Sequence, residues 1–105
     1  MSLGKQRLKA LRKQFNEECL KRDKNKCVFC PKTENLNVHH ITDRHEIPND
    51  GYVKENGITV CEQHHWDCEQ YHIGKLYSKD FHPNELYLKI GSSKEEAFEK
   101  SKQLK

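Results

Sequence analysis

Two short runs, Cys27-Val28-Phe29-Cys30 and Cys61-Glu62-Gln63-His64, constrain this chain more than any other feature. Each spaces two soft ligands by two residues, the spacing of a closed structural zinc site. Only 33% of the 105 residues are hydrophobic, and another 33% are charged. A single domain of this composition has a small core and a thin stability margin. Zinc binding contributes roughly 10–16 kcal/mol in small zinc domains, more than so poor a core is expected to supply. The chain holds five cysteines, an odd number. We read no export leader, so metal is expected over disulfides, in a reducing, cytoplasmic compartment. No apolar stretch approaches the roughly 18 residues of a membrane span.

A second set of ligand-type residues interleaves with the first. His39 and His40 end a strand-like run, and Asn56 and His65 answer them downstream. This set looks like an open catalytic metal site with a base beside it.

Charge is uneven along the chain. Residues 1–32 hold ten Lys/Arg against three acidic residues, a balance of +7, and the remainder carries −4. A basic arm ahead of a metal site suggests a polyanion partner, most simply nucleic acid. Charge alone fits a solvated helix better.

Residues 3–22 are expected to be helical, because Leu8, Leu11, Phe15 and Cys19 recur at helical spacing with Lys and Arg opposite. Leu36–His39 and Ile58–Cys61 alternate as short strands, and the intervening stretch carries the breakers Pro48, Asn49, Asp50, Gly51, Asn56 and Gly57. Residues 62–72 suit a helix. The segment 76–90 (Leu76, Tyr77, Phe81, Leu86, Tyr87, Leu88, Ile90) selects no element. Ser92 and Ser93 followed by Glu95 and Glu96 make a capping-box pattern for a last helix to about residue 104.

The order Cys-x-x-Cys, then Val38-His39-His40-Ile41, then Asn56, then Cys-x-x-His-His resembles the HNH endonuclease family. The lead-in Cys19-Leu20-Lys21-Arg22-Asp23-Lys24-Asn25-Lys26-Cys27 is also similar to that of many members. The likeness covers roughly residues 15–72, with 1–26 as a basic helical lead-in and 73–105 as a C-terminal extension. It implies a small α+β domain with a ββα-metal core, a structural zinc site, an N-terminal amphipathic helix and a C-terminal helical extension.

The resemblance assigns roles residue by residue. Cys27, Cys30, Cys61 and His64 would hold structural Zn²⁺, with His64 standing where the family more often has cysteine. Cys68, one turn on, is the rival fourth ligand, though a core-facing cysteine is expected. His39 and His65 would hold the catalytic ion. Glu69 stands where many members have a further histidine; a carboxylate there tilts the site toward Mg²⁺ or Mn²⁺ over Zn²⁺ or Ni²⁺. His40 would be the general base, in keeping with an imidazole that titrates near neutrality. Asn56 would support the loop and orient that base, while also suiting a turn. Arg44 would clamp the scissile phosphate, or else is an exposed loop arginine. His72 reads as a helix-end histidine, and Trp66, Tyr71 and Tyr77 as core.

The implied activity is hydrolysis of phosphodiester bonds in double-stranded DNA, leaving 5′-phosphate and 3′-hydroxyl ends, by a monomer or weak homodimer, with a phage or mobile element as one setting. It requires the rings of His39, His40 and His65 to converge on one solvent-reachable ion. The alternative is a zinc-stabilised DNA-binding module without catalysis, which has no need of His40. An assembly domain that kept the fold and lost activity ranks behind both.

Overall fold

The computed structural model describes residues 2–74 and 77–104, with side chains described from residue 6; Leu76 lies outside the described residues. Helix α1 (Ser2–Arg22) forms where the apolar spacing places it, and it buries that stripe. Phe15 and Cys19 are enclosed against Tyr52, with Leu8, Leu11, Val38 and Leu104 around them. The helix stops at a turn in which Lys24 and Asn25 take φ of 60° and 55°. There the Asn25 N–H donates to the Leu20 carbonyl at 2.8 Å, satisfying an acceptor the helix end would leave orphaned.

Arg22 staples this corner to the sheet. Its guanidinium donates to both Asp23 carboxylate oxygens at 2.8 and 2.7 Å, and to the carbonyls of Lys54 at 2.6 Å and Gly57 at 2.7 Å. Asp23 in turn accepts from the Thr59 N–H at 3.1 Å. One cation of the basic arm is thereby spent on the fold.

Strands β1 (Leu36–His40) and β2 (Gly57–Cys61) pair antiparallel, with Leu36 opposite Cys61 and His40 opposite Gly57. Every residue of β2 is buried, because helices cover both its faces. On one face α1 approaches so closely that a Cβ on Gly57 would lie 2.5 Å from Cys19 Sγ and 2.6 Å from Phe15 Cζ. On the other, Ile58 and Val60 join the larger core with Cys68 of α2 (Glu62–His72), Leu86 and Tyr87 of α3 (Pro83–Lys89) and Ala97 of α4 (Lys94–Lys102). The strands are joined by three short 3₁₀ turns at Arg44–Glu46, Pro48–Gly51 and Lys54–Asn56.

The C-terminal elements close the core. His82 caps α3, its Nδ1 accepting from the Asn84 N–H at 3.1 Å, and Pro83 occupies the first turn. The Ser93 hydroxyl accepts from the Glu96 N–H at 3.1 Å, as the capping-box spacing leads one to expect, and α4 ends at Lys102. Leu86, Tyr87 and Ala97 are buried to 2% exposure or less, so the extension acts as core cover. The described residues thus form a small α+β fold of four α-helices and a two-stranded antiparallel sheet. Among them no helix is long and apolar enough to cross a membrane.

The close approach at Gly57 is testable. Gly57→Ala should destabilise the fold by about 1–3 kcal/mol, the usual range for overpacking. The denaturant midpoint should fall with an unchanged slope; an unchanged midpoint would contradict the contact.

Candidate metal centres

The knuckle is docked before any ligand is considered. The Cys27 N–H donates to the Lys32 carbonyl at 2.9 Å, and the Val28 N–H donates to the Thr59 carbonyl at 3.0 Å. This brings Cys27 and Cys30 to the end of β2, where Cys61 both closes the strand and precedes α2. His64 Nδ1 lies 3.2 Å from Cys61 Sγ and 3.5 Å from Cys27 Sγ, and Cys30 Sγ lies 3.8 Å from Cys61 Sγ. Tetrahedral zinc, with bonds of about 2.0–2.3 Å, separates its ligand atoms by roughly 3.3–3.8 Å. The cluster therefore fits zinc as it stands. The cysteines are free thiols.

Electrostatics support the same use. Burial by itself would raise the Cys61 thiol, but the His64 backbone N–H and ring, together with the neighbouring thiols, outweigh it and hold Cys61 at about 6. Burial pushes Cys27 up, so a bound cation is what would favour its thiolate beside that of Cys61. Burial pushes Cys68 up to about 12, marking it as the core thiol expected and leaving His64 as the fourth member. Phe29 and Phe81 pack beside the half-buried His64 ring, 5.2 and 6.1 Å from it, centroid to centroid.

The second cluster joins β1 to α2. His39 Nδ1 and His65 Nε2 lie 3.1 and 3.3 Å from the same Glu69 oxygen, Oε1. One ligand atom from each of the three lies within 4.8 Å of the others. His39 is 1% exposed, whereas the side chains of His65 and Glu69 are 33% and 41% exposed, so the cluster opens on one side. The His39 hydrogen bond is the main cause that holds Glu69 at about 2, and burial lowers His39. A neutral His39 beside an ionised carboxylate is already in the form that accepts a divalent cation. His72 is not one of the three. Its Nε2 donates to the His40 carbonyl at 3.1 Å, and its ring packs 5.1 Å from His39, fastening the end of α2 to the end of β1.

His40 departs from the expected convergence. Adjacent strand residues point to opposite faces, and His40 turns toward α1, away from the His39–His65–Glu69 group. Its ring stacks on Phe15 at 4.7 Å and meets Tyr52 edge-on at 5.0 Å. Its Nε2 is buried without a hydrogen-bond partner. Burial first, then the proximity of His39 and Arg44, which disfavours a second positive charge, lower it to about 4 despite a bond to the Asp50 backbone.

Asn56 is fully buried. Its Oδ1 accepts from the Thr42 N–H at 2.9 Å and the Tyr87 hydroxyl at 2.7 Å; its Nδ2 donates to the carbonyls of Thr42 at 3.1 Å and Gly51 at 3.3 Å. It thus fixes the chain two residues after His40 and leaves the ring itself untouched. Tyr87, which also bonds Thr42 Oγ1 at 2.6 Å, is a supporting residue that the sequence reading missed. Arg44 is exposed on its turn. Trp66, Tyr71 and Tyr77, expected in the core, are 62%, 38% and 42% exposed. The core they were assigned to is filled instead by Leu86, Tyr87 and Ala97.

Removal of zinc should be decisive for the fold. A strong chelator, or Cys61→Ser, should abolish the cooperative thermal transition followed by circular dichroism, and added Zn²⁺ should restore it only for the wild type. An unchanged transition in chelator would contradict a structural role for the four-residue cluster. Compared with protein-family models, curated proteins and solved structures, the chain matches none.

Proposed function

We propose that this chain is a metal-dependent DNA endonuclease of HNH type, its β1–β2–α2 unit acting as a ββα-metal core on double-stranded DNA. The observation that carries this reading is the gathering of His39, His65 and Glu69 within 4.8 Å, with His65 and Glu69 partly exposed, beside a separate thiolate cluster. A structural zinc site needs no such neighbour.

In this reading His39, His65 and Glu69 hold a divalent ion, for which Glu69 favours Mg²⁺ or Mn²⁺ over Zn²⁺ or Ni²⁺. When bound, the ion supplies charge neutralisation at the phosphate undergoing in-line attack. His40 is the base. Burial keeps it neutral, and its Nε2 is an acceptor spent on no protein group. To reach water, that atom needs Phe15 to shift off the ring. Asn56 and Tyr87 hold the backbone after His40. The exposed Arg7, Lys9, Arg12, Lys13 and Lys21 of α1 add phosphate contacts that weaken with salt, and Arg44 is free to meet the scissile phosphate.

A second reading, a zinc-stabilised DNA-binding module without catalysis, draws support from one feature: Phe15 covers His40. A plasmid-nicking assay separates the two. Wild type with Mg²⁺ or Mn²⁺ should nick supercoiled DNA, and His40→Ala should lower the rate by about 10²–10⁴-fold, the usual contribution of a general base. Undiminished nicking by His40→Ala would remove the assigned base. DNA binding without cleavage under any divalent ion would favour the second reading.

A further inference from the structure

The most exposed aromatic side chain among the described residues is Trp66, at 62%. It lies on α2 between His65 and Glu69 in sequence. It also walls a groove of about 630 Å³ lined by Lys32, Glu34, Asn35, Cys61, Glu62 and Gln63, which therefore borders the thiolate cluster. The core gains nothing from an indole held there, and no described aromatic ring stacks on it.

We propose that this groove is a subsite for an unstacked nucleobase, with Trp66 as its stacking platform. Three features of the groove select that occupant. The indole presents a flat apolar face, which suits any base. Asn35 and Gln63 bring amides that donate and accept, as a base edge does. The carboxylates of Glu34 and Glu62 accept from exocyclic amines while repelling phosphate, which orients a base inward and its backbone outward, with Lys32 as the rim cation. Position supplies a further reason. Trp66 precedes Glu69 by three residues, about 4.5 Å along the helix axis, so the indole and two of the three cluster residues share one stretch of α2. The inference rests on the nuclease reading and refines its substrate to DNA in which a base beside the cut is unpaired.

Trp66 is the chain's single tryptophan, so intrinsic fluorescence reports the site directly. The zinc-loaded protein is titrated with a short oligodeoxycytidylate, whose bases carry an exocyclic amine, and with a matched duplex, with no magnesium or manganese added. The same oligonucleotides carry a dye, so that anisotropy also follows binding by Trp66→Ala and Trp66→Phe. The single strand should quench the indole saturably, the duplex far less. Trp66→Ala should weaken single-strand binding about tenfold or more, and Trp66→Phe should retain part of it. Zinc content and the thermal transition should be unchanged in both variants, since the side chain is exposed. Absence of quenching by the single strand, in a protein that still nicks plasmid, overturns the subsite and leaves the nuclease reading standing. Absence of quenching together with absence of nicking overturns both.

Discussion

The structure depends on what holds Cys27, Cys30, Cys61 and His64 together. These residues come from a loop, the end of a strand and the first turn of a helix. Without a common cation, three thiols and an imidazole would sit in contact with little to gain. With one, the knuckle, β2 and α2 become a single rigid corner. The consequence reaches beyond stability. His64 and His65 are neighbours on α2, about 100° apart around its axis. Fixing His64 on the thiolates therefore sets the rotation of the helix. That rotation turns His65, and Glu69 one turn later, toward His39 on β1. The structural centre and the candidate catalytic centre are thus one mechanical unit.

The other half of the unit is β1, which pairs with β2 and packs Leu36 and Val38 against the two apolar clusters, while polar bonds fix the segments around it. Arg22 and Asp23 tie the end of α1 to β2. Asn56 fills all four of its hydrogen-bonding positions with Thr42, Gly51 and Tyr87. A fully satisfied buried network of this kind is rigid, and costly to break in part. It fixes the chain just after the His39–His40 pair. The small apolar core then has only to keep water from the two faces of β2.

Local chemistry was legible in the sequence wherever a residue acts on near neighbours. The Cys-x-x-Cys and Cys-x-x-His spacings, the Ser93 cap and the apolar stripe ending at Cys19 all operate within one or two turns. The candidate second cluster was legible by its order along the chain, Glu69 included. What could not be read were facts of packing over long separations. Nothing local to His40 says that Phe15 will lie on its ring. Nothing local to Tyr87 says that its hydroxyl will end on Asn56, because the pairing exists only after α3 folds back. Trp66 was assigned to the core because large aromatics are buried on average. Its exposure follows from the facing of α2, which its neighbours His64 and Cys68 decide.

The central claim is that a filled thiolate centre poises a second, separate site for a divalent cation. Its most direct test is manganese binding to the zinc-loaded protein, followed by electron paramagnetic resonance. The account expects one tightly bound Mn²⁺ per chain, lost in His65→Ala while the zinc content stays the same. Binding that persists in His65→Ala, or no bound Mn²⁺ in the zinc-loaded wild type, would contradict it.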